Sequence, residues 1–395
     1  MDLNALVRQQ IAHAYANAPA IRAMMDAAGV KPDAVQSVAD LAHIPVTSKE
    51  RLQELQAENP PFGGFLAVPL TQLSRIYLSP GPIYDPQGIE DPLAEANARQ
   101  VFSEAGFTSE DIVINTFMYH MVPAGLALDA GVRIVGATVV PLGPGNIELQ
   151  IKVMLDLKAT GYLGTPSFLQ MIYDKAKEMG LPPSALPLKK AFFAAEPYLP
   201  SQRQVFEGEY GLVTSQAYAT ADLGIIGYER PGKAGWYIPQ SLLVQICSPE
   251  SGEELPLGEL GEVVVTTMNP AYPLIRFGTG DLSIMEMDGQ DRKLKGWMGR
   301  SGEAVKVRGM FLHPNSLKAA LAGFPNVSKF QAVVGRDGSR DTVTLNVVLS
   351  EGALDKEAVM EAIKAAARLS INAVEVVSAE QIEGSRIVRD ARDHQ

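Results

Sequence analysis

Between Leu73 and Asp222 the chain alternates short apolar runs with helix-like segments, and no other feature constrains the fold as much. The runs are 75–79, 112–115, 137–141, 161–164, 190–193 and 213–217, and between most of them lie stretches such as 93–105, 147–157 and 167–179. Short apolar strands separated by helices predict a parallel sheet buried on both faces. Ligands of such sheets bind beyond the carboxyl ends of the strands, where loops meet helix N-termini. The residues just after each run are therefore the first candidates for function.

The flanking regions read differently. Residues 1 to about 60 read as helices, with Leu6, Ile11 and Ala14 on one face and Gly29 ending the second. Thr47-Ser48-Lys49-Glu50 has the form of a capping box before Leu52 and Leu55. Pro60-Pro61-Phe62-Gly63-Gly64 breaks the pattern, and no chemistry is read in this helical opening. From 224 to 300 the pattern is mostly β, clearest at 242–246 and 262–267. Beyond it come strands at 331–334, 342–349 and 373–377 and a helix at 356–366. A division into a large domain, 1–300, and a small α+β lid, 301–395, follows.

A chain of 395 residues suits a large domain with a smaller one. Its formal charge of −11 argues against nucleic-acid or anionic-membrane partners but leaves room for a nucleotide in a locally positive pocket. Cys247 is the single cysteine, and the five histidines have no ligand-like spacing, so neither a disulfide nor a thiolate metal cluster is expected. Met1-Asp2-Leu3-Asn4 lacks a basic stretch leading into an apolar one, and no apolar run reaches membrane-spanning length. A cytoplasmic protein is expected.

Several post-strand segments are chemically loaded. In Ser79-Pro80-Gly81-Pro82-Ile83-Tyr84-Asp85 two prolines remove backbone donors and Asp85 adds a negative charge, so a rigid loop and a phosphate clamp both stay open. Thr116-Phe117-Met118-Tyr119-His120 offers flat side chains with polar tips, suited to an acyl or aryl pocket, although Phe117 and Met118 also suit a core. Gly143, in Pro141-Leu142-Gly143-Pro144-Gly145-Asn146, by itself marks a turn before a helix. Gly164-Thr165-Pro166 ends a strand and starts a helix, whose unpaired N–H groups suit an anion, while an ordinary N-cap explains Thr165 equally. In Tyr272-Pro273-Leu274-Ile275-Arg276-Phe277-Gly278-Thr279-Gly280-Asp281-Leu282, two glycines frame a threonine and an aspartate closes a turn. A carboxylate on such a turn suits a pair of neighbouring hydroxyls, as on a ribose; a solvated aspartate after a strand is the alternative.

Together with Gly296-Trp297-Met298-Gly299-Arg300-Ser301-Gly302-Glu303 and Val305-Lys306-Val307-Arg308-Gly309, that segment resembles the adenylate-forming enzymes, particularly the phenylacetate–CoA ligase branch. Ala194-Ala195-Glu196-Pro197 and Tyr218-Ala219-Thr220-Ala221-Asp222 extend the resemblance, which follows the family's order along nearly the whole chain. It implies an α/β fold: a large N-terminal domain with mainly parallel sheets and a β-rich part, plus a small mobile α+β C-terminal domain. It also implies an AMP-forming ligase that activates a small or aromatic carboxylic acid as an acyl adenylate and passes the acyl group to coenzyme A. ATP/AMP, Mg2+ and coenzyme A would be its cofactors, and a homodimer its assembly.

The resemblance carries roles to single positions. Ser79 and Gly81 stand in the phosphate loop. Phe117, Tyr119, His120, Gly143, Gly164 and Thr165 stand around the acid. Ala195, Glu196 and Pro197 lie beside the adenine, on which Tyr218 stacks, with Ala219 and Thr220 next in line. Asp222 would hold Mg2+, Asp281 the ribose and Arg300 the ribose or a phosphate, with a hinge at 299–303. Three departures concentrate on the phosphates: the loop has lost its threonines, Ala221 replaces a hydroxyl residue, and Ser385 takes the place of a lysine, leaving Arg386 beside it as the candidate cation. They support an alternative, an adenylation-impaired relative that moves an acyl group between thiols or merely binds an acyl-CoA or nucleotide. Arg230 and Tyr237 occupy two positions where many relatives place zinc ligands, so no zinc is expected.

Overall fold

The computed structural model of the chain describes residues 2–392 other than Pro80, Gly81, Glu90, Glu250, 302–304, Gly309, His313, Ser339, Arg368, Glu383 and Ser385. The chain divides into two compact units, Met1–Trp297 and Met298–Gln395.

In the first unit a short strand β1 (Thr47–Ser48) precedes the hairpin strands β2 (Leu73–Ser79) and β3 (Ile83–Gly88). The alternating region supplies β4 (Ile112–Asn115), β5 (Thr138–Pro141), β6 (Gly161–Gly164), β7 (Lys190–Phe193) and β8 (Val213–Thr220). The β-rich region supplies β9 (Gly224–Tyr228), β10 (Trp236–Tyr237), β11 (Leu243–Cys247), β12 (Leu260–Thr266), β13 (Phe277–Asp288) and β14 (Asp291–Leu294). One sheet runs β11-β12-β13-β14-β10-β9-β8-β7-β6-β4-β5, with β1 added beside β13. Its β5-β4-β6-β7-β8 half is parallel, and from β8 onward to β11 neighbours are antiparallel.

The parallel half is buried on both faces for the reason its sequence suggests. Successive side chains of a strand point to opposite faces. Val113, Leu163 and Phe192 pack with Val101, Phe102, Leu128 and Val132 of the helices Pro92–Glu104 and Ala124–Ile134. Their neighbours Ile114, Tyr162 and Phe193 pack on the other face with Ile151, Met154, Leu169 and Ile172 of Ile147–Leu157 and Pro166–Glu178. Asp91, Asn146 and Thr165 cap three of these helices by accepting from the backbone N–H groups of Ala94, Leu149 and Phe168.

One strand expectation is corrected. The run at 75–79 forms as β2 but lies outside the parallel sheet, in an antiparallel hairpin with β3 that pairs Ser79 with Ile83 and Tyr77 with Asp85. The link between the two strands is only 80–82, far too short for the crossover that parallel strands need. The hairpin is tied to the sheet where Leu78 N–H donates to Met121 O, 2.8 Å away.

The turn expected at Gly278–Asp281 is also corrected, since β13 continues through it. Val264 pairs with Gly278 and Glu262 with Leu282, so Thr279, Gly280 and Asp281 stand opposite Val263 alone. This is a bulge. Gly280 adopts φ +73°, which a residue with a Cβ resists, and its N–H donates to Glu262 Oε1 at 2.8 Å. The Thr279 hydroxyl donates to Val263 O at 2.9 Å.

Among the described residues of the second unit, β17 (Val327–Asp337) and β18 (Arg340–Leu349) form an antiparallel hairpin. It is flanked by β19 (Ala373–Val376) and β20 (Val388–Asp390), each parallel to its neighbour, and β15 (Val305–Val307) pairs with β16 (Met310–Leu312). Helices Pro314–Leu321 and Lys356–Ala367 cover a core that includes Leu317, Leu345, Val359 and Ile363. Among the described residues, no helix is long and apolar enough to cross a membrane.

Arg276 is the largest fully buried side chain of the first unit, at 2% exposure. Its guanidinium donates to the carbonyls of Ala42, Ile44 and Gly252, to Gln245 Oε1 and to Cys247 Sγ. Removing it leaves several buried acceptors without a donor, so Arg276→Leu is expected to cost about 3 kcal/mol or more of unfolding free energy. Urea denaturation followed by circular dichroism measures this, and a loss below about 1 kcal/mol would show that other donors replace it.

Candidate active site

Because β4 to β8 run parallel, the segments that follow them emerge at one edge of the sheet. Thr116–His120, Gly143, Thr165, Ala195–Pro197 and Tyr218–Asp222 therefore share that edge, as their sequence positions predict.

The first cluster forms at the ends of β4, β6 and β7. The Thr116 hydroxyl donates to Leu163 O at 3.0 Å and lies 3.1 Å from the Tyr162 hydroxyl, which in turn donates to Thr165 O. Burial holds the Tyr162 phenol well above its ordinary value and keeps it a neutral donor. Thr165 caps the helix Pro166–Glu178, and its hydroxyl also lies 3.2 Å from Ser167 Oγ. Glu196 accepts from Ser167 N–H at that helix start, placing a carboxylate where the helix dipole favours one. Ala195 precedes it with a left-handed backbone, φ +71°, and Ala195 and Pro197 are exposed.

The residues expected around the acid are split. Phe117 is buried in the core beneath the edge, its N–H bonded to Asn115 Oδ1. Tyr119 is half-buried and its hydroxyl donates to Asp129 Oδ2 at 3.0 Å. His120 and Met118 are exposed. Gly143 takes φ +68° and its carbonyl accepts from Gln150 Nε2.

The second cluster surrounds the bulge. Asp281 is 5% exposed; its Oδ2 accepts from the Tyr218 hydroxyl at 2.9 Å and its Oδ1 from Trp297 Nε1 at 3.0 Å. Tyr218 stacks on Trp236 with centroids 5.0 Å apart and planes 16° from parallel. Glu262, which receives the Gly280 N–H, has its carboxyl pushed up by burial.

Four residues beyond Tyr218, Asp222 lies in the turn between β8 and β9. Its side chain is 1% exposed, and Oδ2 pairs with Lys49 Nζ at 2.6 Å. Thr220 accepts from Leu223 N–H and shapes that turn, while Ala219 is exposed. Asp85 from the hairpin faces Asp222, and burial with Asp222 beside it pushes the Asp85 carboxyl up to about 7. Ser79, also buried, donates its hydroxyl to Ile83 O across the hairpin. Gly81 lies outside the described residues.

Lys49 was missed by sequence reasoning. It opens the helix Lys49–Glu58, capped by Ser48, in a segment where only capping was read. The signal was one of two cations at a helix start, Lys49 and Arg51, with nothing local to tie either to Asp222.

Arg300 and Arg386 belong to the second unit. Arg300 is half-buried; Arg386 is exposed and, with Lys318 and Lys329, lines a groove of about 480 Å³. Ser385 lies outside the described residues. Arg230 and Tyr237, at the expected zinc positions, are engaged with each other: the guanidinium sits 4.0 Å from the ring centroid and pairs with Glu104 and Asp291.

No protein-family model matches the chain. Phenylacetate–coenzyme A ligase of Aromatoleum evansii is 31% identical over 358 residues, covering 87% of this chain and 80% of that one. The enzyme of the same name from Thermus thermophilus is 30% identical over 366 residues, with the same coverages. Among solved structures, 2-hydroxyisobutyryl-CoA ligase in complex with 2-HIB-AMP and CoA aligns with a TM-score of 0.86 over 99% of this chain and 89% of that one. At 24% identity that likeness is one of fold.

Gly164 tests the first cluster without reference to any ligand. A Cβ there would lie 2.1 Å from both Thr116 Oγ1 and the Tyr162 hydroxyl. Gly164→Ala should destabilise the chain by about 1–3 kcal/mol through overpacking. Thermal unfolding reads the shift, and an unchanged midpoint would mean that the edge is looser than this geometry.

Proposed function

The chain belongs to the phenylacetate–coenzyme A ligase family of adenylate-forming enzymes, and from that premise we propose how its residues divide the reaction. As an AMP-forming CoA ligase it uses ATP and coenzyme A to turn a carboxylic acid into a thioester. In the first half-reaction a carboxylate oxygen bonds to the α-phosphorus while the bond to the β-phosphate oxygen breaks and pyrophosphate leaves. In the second, the thiol sulfur bonds to the acyl carbon, its proton is lost, and AMP departs.

The observation that carries the assignment of residues is the buried Asp281 carboxylate, held by Trp297 and by Tyr218, which stands four residues before Asp222 in the sequence. Asp281 takes the ribose hydroxyls. Tyr218, backed by Trp236, presents its ring to the adenine beside Ala195, Glu196, Pro197, Ala219 and Thr220. Thr165 and Gly164, at a strand end that leads into a helix N-terminus, face the acid with Tyr119, His120 and Gly143, while Phe117 supports that pocket from the core. We take the acid to be aromatic or small. Arg300, within a hinge at 299–303, and Arg386 are the cations proposed for the C-terminal side; Gly302 and Glu303 of that hinge lie outside the described residues.

Asp222 fits a divalent cation. Its Oδ1 is buried and meets no donor among the described residues, and a carboxylate is a hard oxygen ligand of the kind Mg2+ takes. The ion would supply charge at the phosphates, and Asp222 would hold it. The Arg230–Tyr237 stack supports the absence of a structural zinc. A homodimer and a cytoplasmic location rest on the resemblance and on the sequence.

A specific observation favours slow adenylation. Ser79 spends its hydroxyl inside a closed hairpin, and its partner strand brings Asp85 where a phosphate loop would offer donors.

Two outcomes are expected. Asp281→Ala should weaken AMP binding at least tenfold, read by calorimetry or by the fluorescence of the two tryptophans, both of which adjoin the site. Unchanged affinity would remove Asp281 from the ribose. In separated half-reactions, pyrophosphate exchange should be slow and a pre-formed acyl adenylate should react readily with coenzyme A. Ser385→Lys should then speed the first step by up to about a hundredfold, the worth of one positioned electrostatic donor, and leave the second unchanged. Fast exchange in the unaltered chain would overturn the impaired-adenylation reading. Silence in both steps for every acid tried would favour transfer between thiols or binding alone.

A further inference from the structure

Three carboxylate oxygens, both of Asp85 and Oδ1 of Asp222, are buried together without a full hydrogen bond among the described residues; the nearby Ser79 hydroxyl donates to Ile83 O instead. Asp85 is 6% exposed and the Asp222 side chain 1%. Lys49 answers one charge, through Asp222 Oδ2 at 2.6 Å. Two carboxylates face one ammonium, and ionising both here would bury a charge without a partner, which is costly.

The arrangement is built and not incidental. Gln56, itself 4% exposed, clamps the residue before Asp85 from both sides. Its Nε2 donates to Tyr84 O, its Oε1 accepts from Tyr84 N–H, each at 2.8 Å, and the same Nε2 donates to the Tyr272 hydroxyl at 2.9 Å. Gln56 and Lys49 are on one helix, Lys49–Glu58. That helix therefore fixes the strand bearing Asp85 and the cation facing Asp222 at once.

A single shared proton would engage only part of this set. A small divalent cation engages more of it, because Mg2+ is commonly held by one or two carboxylates and completes its shell with substrate phosphates and water. Asp85 also enters from the hairpin that stands in the place of a phosphate loop. A hairpin whose Ser79 hydroxyl is spent on Ile83 O and whose Asp85 is an acceptor can still hold phosphates through a metal ion.

We propose that Asp85 is the second carboxylate ligand, beside Asp222, of the divalent cation that arrives with the nucleotide, and that Lys49 gives up its place on Asp222 when the ion enters. This rests on the reading of Asp222 as the cation ligand. The ligand class is a hard divalent ion bridged to the nucleotide's phosphate.

Mn2+ binding to the full chain at saturating AMP, followed by loss of the free-ion electron paramagnetic resonance signal, tests the proposal without relying on turnover. The unaltered chain should hold one Mn2+. Asp85→Asn and Asp222→Asn should each weaken it tenfold or more, and Lys49→Met, which removes the competing ammonium, should tighten it. Circular dichroism and AMP affinity confirm that each variant is folded; should Asp85→Asn fail this check, Asp85→Ala and the direction of the Lys49→Met effect decide. Loss of Mn2+ in Asp222→Asn with full binding in Asp85→Asn would overturn the role of Asp85 and leave Asp222 in place. No bound Mn2+ in the unaltered chain, or full binding in both variants, would overturn both. Weaker binding in Lys49→Met would make Lys49 a supporting residue and overturn the displacement.

Discussion

The buried guanidinium of Arg276 holds the first unit together around its site. Its charge is met by neutral carbonyl, amide and thiol groups, an arrangement that the five-donor fork of arginine allows and a lysine does not. Ala42 and Ile44 belong to the helical opening, whereas Gln245, Cys247 and Gly252 belong to the β-rich region. The Arg276 carbonyl also accepts from Thr47 N–H, the contact that starts the pairing of β1 with β13. Lys49 follows β1 directly, and Asp281 follows Arg276 along β13. One buried residue thus helps to set where a cation from the opening meets the turn after β8 and where a carboxylate of β13 meets Tyr218 of β8.

The site so assembled is rich in acid. Asp85, Asp222, Asp281 and Glu262 are all drawn toward it in a chain whose net charge is −11. Each is handled differently. Tyr218 and Trp297 donate to Asp281, a backbone N–H serves Glu262, Lys49 pairs with Asp222, and Asp85 faces Asp222 with neither oxygen fully hydrogen-bonded among the described residues. A nucleoside needs acceptors for its hydroxyls, the role proposed above for Asp281. Phosphates need donors or cations, and the hairpin that stands in the phosphate loop's place contributes neither from Ser79 nor from Asp85. On the proposed assignment, the nucleoside end of the site is self-sufficient, while the phosphate end depends on charge brought from elsewhere.

Much of this was written locally. The strands at 112–115, 161–164 and 190–193 were legible because short apolar runs between helices have one stable arrangement, a sheet covered on both faces. The Thr165 cap and the clustering of post-strand segments follow from the same pattern. The hairpin was not legible, because its second strand, Ile83–Gly88, carries Asp85, Pro86 and Gly88, residues that read against a strand. The Asp281 bulge was not, because a bulge is a relation between β13 and the register of β12, and neither strand states it alone.

The sequence by itself determined the parallel sheet, its covering helices, the edge at which ligands meet it and the residue types offered there, since these rest on spacing and composition within short windows. Only the tertiary structure decided that Lys49 meets Asp222 across 173 residues of chain, that Asp85 is buried against that pair, and that Phe117 supports the edge from the core. Such contacts depend on where whole elements dock. A charge or ring carries no local mark of the partner that packing will bring to it.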